Sequence, residues 1–442
     1  MMKLLKALMI LLFINACSFD NKTGIWIDEN KIPKETVEVF KDFEIISSSS
    51  ETFNKTILHN NKQFPISLGV LKNNNKWNDI YFNKNNNFEN FTYKNLKKEI
   101  IKSKKLTKYE LNKYVLFENN NLITSDVNGN LIIFNQINNK NIKFNFYKGE
   151  YKKIKKILNL YVEKNIIYVS DNLGYLYAYN YRLNKVLWAK NYKIPFRSNL
   201  KVSKNDLIAA NQNNNLYFFD KKSGEILRTV PTEETSVKNK FVNNLSLSND
   251  SLFYLNTYGS LYSFDLETKK INWFINLNKS LELNPSNLFL GNQIINNNKK
   301  IIVSSNNKVY VIDAATGSTS YVKNFSSITK PILSNNFLFL ISKNNLLIAI
   351  ELSSGRIAYS YDINERISKF LKIKKKNVSF RELMLVNDNI FIFLKNSYIL
   401  NFKKEGELQE VFKLPSKILT NPIFIDGSLL FLNTKKKLII LN

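Results

Sequence analysis

Short runs of consecutive apolar residues recur along this chain, separated by turns rich in Asn, Lys and Gly. The stretch 199–230, NLKVSKNDLIAANQNNNLYFFDKKSGEILRTV, shows the unit. Apolar runs at 207–210, 216–219 and 226–230 are split by a polar turn at 211–215 and by Asp220-Lys221-Lys222-Ser223-Gly224. Runs of four to five residues between such turns predict an antiparallel meander. In the Asp-x-x-Ser-Gly turn, the Asp carboxylate can accept from the backbone two residues on, and Gly supplies a positive φ.

The apolar quartet beginning at Leu216 has counterparts beginning at Leu131, Leu176, Leu261, Val309, Leu347, Tyr398 and Leu438. The mean spacing is about 44 residues, and a four-stranded propeller blade takes ~40–45. Eight copies predict an all-β chain folded as an eight-bladed β-propeller of four-stranded antiparallel blades over residues 93–442. Because the runs are apolar at successive positions, both faces of each sheet should be buried. The eighth copy ends after its third run, 438–441. An unpaired edge there would be a template for foreign strands. The segment 95–103 (NLKKEIIKS) is therefore expected to supply the missing strand and close the ring. Trp188 and Trp273 fall at the same point of their copies, which suggests packing elements.

Composition narrows the chemistry. One His (His59) and one Cys (Cys17) leave no Ser-His-Asp triad beyond His59, no internal disulfide and no His-rich metal site. The net charge of +28, from 64 basic and 36 acidic residues, is spread over nearly every turn. Without a basic helix or arm, it reads as a solvated surface and edge protection rather than a nucleic-acid face.

The N-terminus is of a different kind. Lys3 and Lys6 precede an apolar run at 7–14, too short to span a bilayer. Ile14-Asn15-Ala16-Cys17 is similar to a lipobox, so residues 1–17 are expected to be a lipoprotein signal peptide with Cys17 the acylated residue. Residues 18–92 are rich in Asn, Lys and Ser and are expected to be a polar tether lying partly against the propeller flank. Trp77 is expected to fill an apolar groove.

The apolar quartet, the Asp-x-x-[Ser/Thr]-Gly turn and the following Trp (FFDKKSGEIL, SFDLETKKINW, VIDAATGS, AIELSSGRIAY) resemble the PQQ-like quinoprotein repeat. The quinoprotein alcohol dehydrogenases share it, but they carry an adjacent Cys pair and an acidic base beside calcium, which this sequence does not have. No cofactor is therefore expected. Lipobox, tether, eight repeats and the end after a third strand together resemble the BamB family of the outer-membrane β-barrel assembly machinery. That resemblance implies a non-catalytic lipoprotein on the periplasmic side of the outer membrane, where Ser18 after the Cys would sort it. Its implied partners are a BamA-like barrel subunit, other assembly lipoproteins and the membrane itself. It also implies contact through the loops after blades three and four, here 231–244 and 278–292. The Leu- and Arg-containing contact motif of the family is not recognisable in the first loop, and its Asp-rich stretch is missing from the second. Glu233, Glu234, Lys238 and Lys240 are the candidate partner-binding residues, because they crowd charge into the first loop. An envelope module binding glycan or another periplasmic partner remains open as an alternative, as does, less favoured, a PQQ-type dehydrogenase.

Overall fold

A computed structural model describes residues 18–19, 26–27, 53–234, 242–278, 289–305 and 307–442. The chain divides into two compact units, 1–51 and 52–442. In the first, Ser18–Phe19 and Trp26–Ile27 pair antiparallel.

The second unit is an eight-bladed β-propeller. Seven antiparallel meanders follow in chain order: 116–145, 158–191, 201–230, 244–276, 295–323, 332–362 and 380–413. The eighth sheet has Ile423–Ile425, Ser428–Leu432 and Leu438–Leu441, and its fourth strand comes from Glu99–Lys102, with Ile101 opposite Ile440. The first strands of blades one and two, and of blades three to six in succession, lie against one another. The second and third strands are the apolar runs, and they are buried at almost every position, as in Asp206–Ala210 and Phe337–Ile341. Fourth strands alternate towards solvent, as in Lys185–Asn191.

The repeated turn works as its residues dictate. Asp220 accepts from the backbone of Lys222 (3.0 Å) and Ser223 (2.7 Å), and Gly224 takes φ +75°. Its conformation leaves room for the previous blade: a Cβ on Gly224 would lie 2.5 Å from the Trp188 ring. Trp188 donates its Nε1–H to the carbonyl of Lys221 (3.2 Å). Trp273 does the same to Ala314 beside Gly317 (3.2 Å), and Tyr321 and Tyr359 reach Leu352 (3.1 Å) and Lys404 (3.0 Å) with their hydroxyls. The ring of one blade thus covers the glycine turn of the next. At the junction of blades three and four both partners change together. Arg228 stands where blades two, four, five and six have an aromatic residue, and Lys269, at φ +58°, stands where blades three, five, six and seven have Gly. Arg228 instead reaches the carbonyl of Thr268 (3.5 Å).

A helix interrupts the repeat. After blade six, the helix Ile363–Leu371 is capped by Asp362, which accepts from the backbone of Glu365 (3.1 Å).

The tether reading needs correction for its second half. Residues 53–92 belong to the same compact unit as the blades. The start of this stretch does follow the flank, where Ile57 bridges Ser360 of the fourth strand of blade six, and by Gly69 it has reached the first strand of that blade, donating to Ser334 Oγ (2.8 Å). Beyond Gly69 the chain enters the centre. Leu71–Lys72 and Asn90–Phe91 extend the seventh blade to six strands, Asn90–Phe91 running parallel to Leu385–Val386. An Asn-rich composition resembles a solvated linker, but Asn carries both a donor and an acceptor and tolerates left-handed backbone. Those properties suit it to bonding exposed strand ends in a confined space.

Candidate functional site

The centre of the propeller is where the described residues concentrate buried charge. Residues 74–94 pass each blade in turn. The Asn74 carbonyl accepts from Asp426 of blade eight (2.8 Å). Trp77 exchanges both backbone bonds with Phe117 of blade one (2.7 and 2.9 Å), and Asn78 accepts from Val162 of blade two (2.9 Å). Lys84 and Asn85 accept from Leu247 of blade four (2.8 Å) and Asn296 of blade five (3.2 Å). The Asn87 side chain accepts from Leu333 of blade six (2.9 Å). Phe91 accepts from Asn387 of blade seven (2.9 Å), and Lys94 donates to Gly427 of blade eight (2.9 Å). Blade three joins through Lys201, a first-strand residue.

Trp77 is 2% exposed and packs on Phe82, Phe88 and Phe91 at 4.6–5.7 Å between ring centres. Burying a side chain of that size contributes on the order of 3 kcal/mol. Around this aromatic knot lie charges that apolar packing alone would not tolerate. The Lys201 ammonium donates to Asp79 Oδ2 (2.6 Å), Asn86 Oδ1 (2.5 Å) and the Asn83 carbonyl (3.0 Å). Burial pulls Lys201 down from its ordinary value, while Asp79 opposes the shift. Asn86, at φ +60°, is the hub: its amide donates to the carbonyls of Leu245 and Ile294 (both 2.8 Å), and its own carbonyl accepts from Lys330 (2.7 Å). Lys330 also donates to the Tyr81 carbonyl (3.1 Å) and sits 3.2 Å over the Phe88 ring. Burial lowers it to about 7.

Above this floor is a cavity of about 260 Å³, lined by Thr329, Lys330, Arg381 and Glu382 and also by Lys113 and Ile328, both exposed. Burial pushes Glu382 up to about 7, against the pull of Lys330. Its Oε2 accepts from Asn421 (2.7 Å). Among the described residues, no group of three or more His, Cys, Asp or Glu is placed to hold a metal ion.

The sequence pointed elsewhere. Of its candidate partner-binding residues, Lys238 and Lys240 lie outside the described residues, as does Cys17 with the signal peptide. Glu233 is turned inward: it accepts from Ser260 Oγ (2.6 Å), Asn256 (2.7 Å) and Tyr262 OH (2.9 Å). Burial raises its carboxyl, but these bonds outweigh that, and it sits below the usual range. Glu233 therefore pins the start of the loop to blade four. Glu234 is exposed and accepts from Asn215 (2.9 Å). His59 is structural too, with Nε2 3.0 Å from the Phe64 carbonyl and its ring edge-on to Tyr359. The central residues Asp79, Asn86, Lys201, Lys330 and Glu382 escaped sequence reading. Each is a single polar residue beside an apolar run or inside an Asn tract, and only closure of the ring brings them together.

Residues 150–361, covering blades two to six, match the family model of outer membrane protein assembly factor BamB. The chain is BamB-like. No curated protein matches its sequence. Among solved structures it is similar to BamB from Moraxella catarrhalis, with a TM-score of 0.59 and 12% identity over 77% of this chain and 100% of that one. It is also similar to the quinohemoprotein alcohol dehydrogenase from Comamonas testosteroni, with a TM-score of 0.61 and 10% identity over 83% of this chain and 80% of that one. The C-terminal WD40 domain of Sif2 gives a TM-score of 0.54 at 11% identity over 78% of this chain and 97% of that one. At these identities the likeness is one of fold, shared by proteins of different kinds. Among the described residues, no helix of this BamB-like chain is long and apolar enough to cross a membrane.

Proposed function

We propose that the protein is a non-catalytic, lipid-anchored scaffold of the outer-membrane β-barrel assembly machinery. Acyl chains on Cys17 hold it at the outer membrane, facing the periplasm. It binds a BamA-like barrel subunit through the loops 231–244 and 278–292, beside other assembly lipoproteins, and can receive client barrel proteins. The observation that carries this reading is the stretch matching the BamB family, 150–361, which contains both loops and the blades that present them. More than one acyl chain gives stable anchoring, so a ring whose described residues include no spanning helix can be held at the membrane this way.

The test is a pull-down of the tagged full chain from gently solubilised membranes. The expected result is co-purification of a barrel subunit with periplasmic repeat domains, lost when Glu234, Lys238 and Lys240 are changed to Ala. Recovery of that subunit despite the changes would leave the scaffold reading and remove the loop assignment. Absence of any barrel subunit after crosslinking would remove the scaffold reading. Cys17→Ser is expected to release the protein from the membrane fraction.

A second reading, an envelope module for glycan, is favoured by one observation. Phe146, Tyr147, Tyr151 and Tyr175 cluster around an open hollow beside blade two, with Tyr151 exposed. Aromatic faces of this kind stack on sugar rings. Retention on peptidoglycan that is lost with Tyr151→Ala would support it.

A further inference from the structure

Strand direction fixes where the blade connections go. In an antiparallel meander of four strands, the fourth ends at the level where the first began. Every connection from one blade to the next therefore lies at the same end of the ring as the turns between second and third strands. The bonds agree, each joining a connection to such a turn. Lys156 donates its N–H to the Val127 carbonyl (2.8 Å), Lys395 donates its own to that of Ser379 (2.8 Å), and Lys436 Nζ reaches that of Lys108 (2.7 Å). The successive connections from blade six, through seven and eight, to blades one and two form one arc at this end.

Charge that is spread along the sequence is gathered on this arc. After the helix Ile363–Leu371, every residue of 369–377 is exposed, and five of them are lysines. Lys369 and Lys375 hold Glu365 (2.5 Å) and Asp362 (2.6 Å). Lys372, Lys374 and Lys376 make no ion pair among the described residues. Between these lysines Phe370, Leu371 and Ile373 are 42–49% exposed. The connection from blade one to blade two has the same character: 148–155 is exposed throughout, and Tyr151, Ile154 and Ile157 stand out among its lysines. Between the two lies the connection into blade one, where Lys104, Lys105 and Lys108 are exposed and Lys108 covers the ring of Tyr109 (5.2 Å). By contrast, the connections 192–200 and 324–331 expose one lysine between them, Lys193.

We propose that this arc is a docking face for an anionic lipid surface. A merely solvated face would show the lysines without the Phe, Leu and Ile side chains. A protein-binding patch is depleted in lysine at its core. Exposed apolar side chains interleaved with ammonium groups match a bilayer surface instead: the apolar groups enter the headgroup boundary and the lysines meet phosphates. The assignment goes beyond the assembly reading and does not rest on it, since it needs neither acyl chains nor a barrel subunit. An anchor near the N-terminus fixes where the chain is held; this face fixes which way the ring is turned.

The experiment uses the chain's single cysteine. In a full chain with Cys17→Ser, a polarity-sensitive fluorophore is attached at Ile373→Cys. In a second, it is attached at Leu183→Cys, an exposed site between the third and fourth strands of blade two and so at the other end of the ring. The probes are vesicles of equal parts phosphatidylcholine and phosphatidylglycerol, and vesicles of phosphatidylcholine alone. A blue shift is expected at 373 with the anionic vesicles only, and at 183 with neither. Changing Lys372, Lys374 and Lys376 together to Gln should weaken the binding about a hundredfold, at ~fivefold for each charge near the surface. The thermal midpoint should not move, because these side chains hold nothing in the fold. No shift at 373, an equal shift at 183, equal binding to phosphatidylcholine alone, or unchanged affinity in the triple variant would each overturn the proposal. A response at 373 to polyglutamate but not to vesicles would also overturn it and assign the face to an acidic protein.

Discussion

The indole of Trp188 covers Gly224 of the neighbouring blade so closely that the glycine has no space for a single added carbon, 2.5 Å from the ring. Two costs meet there: a side chain in left-handed backbone, ~1–2 kcal/mol, and overpacking, ~1–3 kcal/mol. Gly224→Ala is expected to destabilise the protein by about 3 kcal/mol in urea unfolding. Gly149→Ala, also at positive φ (+55°) but with nothing within 4 Å, should show only the backbone part. Trp188→Ala combined with Gly224→Ala should cost less than the two single changes added, because the clash is gone.

The pair Lys201 and Asp79 is fully buried, at 2.6 Å. Removing one member of such a pair strands the other, at about 3–5 kcal/mol. Lys201→Met is expected to fall in that range. Adding Asp79→Asn should recover part of the loss. If the double variant is no more stable than Lys201→Met, the ion pair is not what holds residues 74–94 in place.

Glu382 gives stability a direction with pH. Its folded value of about 7 lies above its ordinary 4.5, so the folded state keeps a proton that the unfolded chain releases over that interval. Stability therefore falls as pH rises from 4.5 to 7, by on the order of 3 kcal/mol. Lys330 is the mirror case. Its folded value of about 7 lies below its ordinary 10.5, so the unfolded chain holds the extra proton and stability rises with pH from 7 to 10.5. A minimum near pH 7 is expected in the urea midpoint. Glu382→Gln should flatten its acid side and leave the alkaline rise.

Ile101 stands opposite Ile440 in the eighth sheet. If that pairing closes the ring in solution, Ile101→Pro should open it, because proline removes a ladder donor. Amide exchange in 438–441 is expected to speed up, and the freed edge should promote dimers visible by light scattering. Unchanged exchange at 438–441 would show that the sheet does not need this strand.

How far the residues announced this structure depends on where each signal resides. The blades were legible because their signal is local and repeated: the runs 226–230, 423–425 and 438–441 coincide with strands, and Asp220 bonds Lys222 as its turn requires. Trp188 and Trp273 were legible as packing residues by their equivalent places, although the glycines beneath them could be seen only in space. The helix at 363–371 was missed because it is a single insertion with no second copy to compare. The centre was illegible for a different reason. Asn86 gathers Leu245, Ile294, Lys201 and Lys330 from four blades, and nothing in an Asn tract says that its solvent will be protein. Glu233 was singled out for crowded charge alone, and the three hydroxyl and amide donors of blade four that hold it could be seen only in space.

The strand at 99–102 and the segment before it also set a timetable. Lys102 lies opposite Ile439, 337 positions further on. A chain emerging N-terminus first therefore presents its closing strand and its central core segment at the outset, and can seat neither until the last residues arrive. Loop closure over such a distance is slow, and unpaired apolar strands stay exposed in the interval. Truncation within the final blade is therefore expected to cost the whole ring rather than one eighth of it.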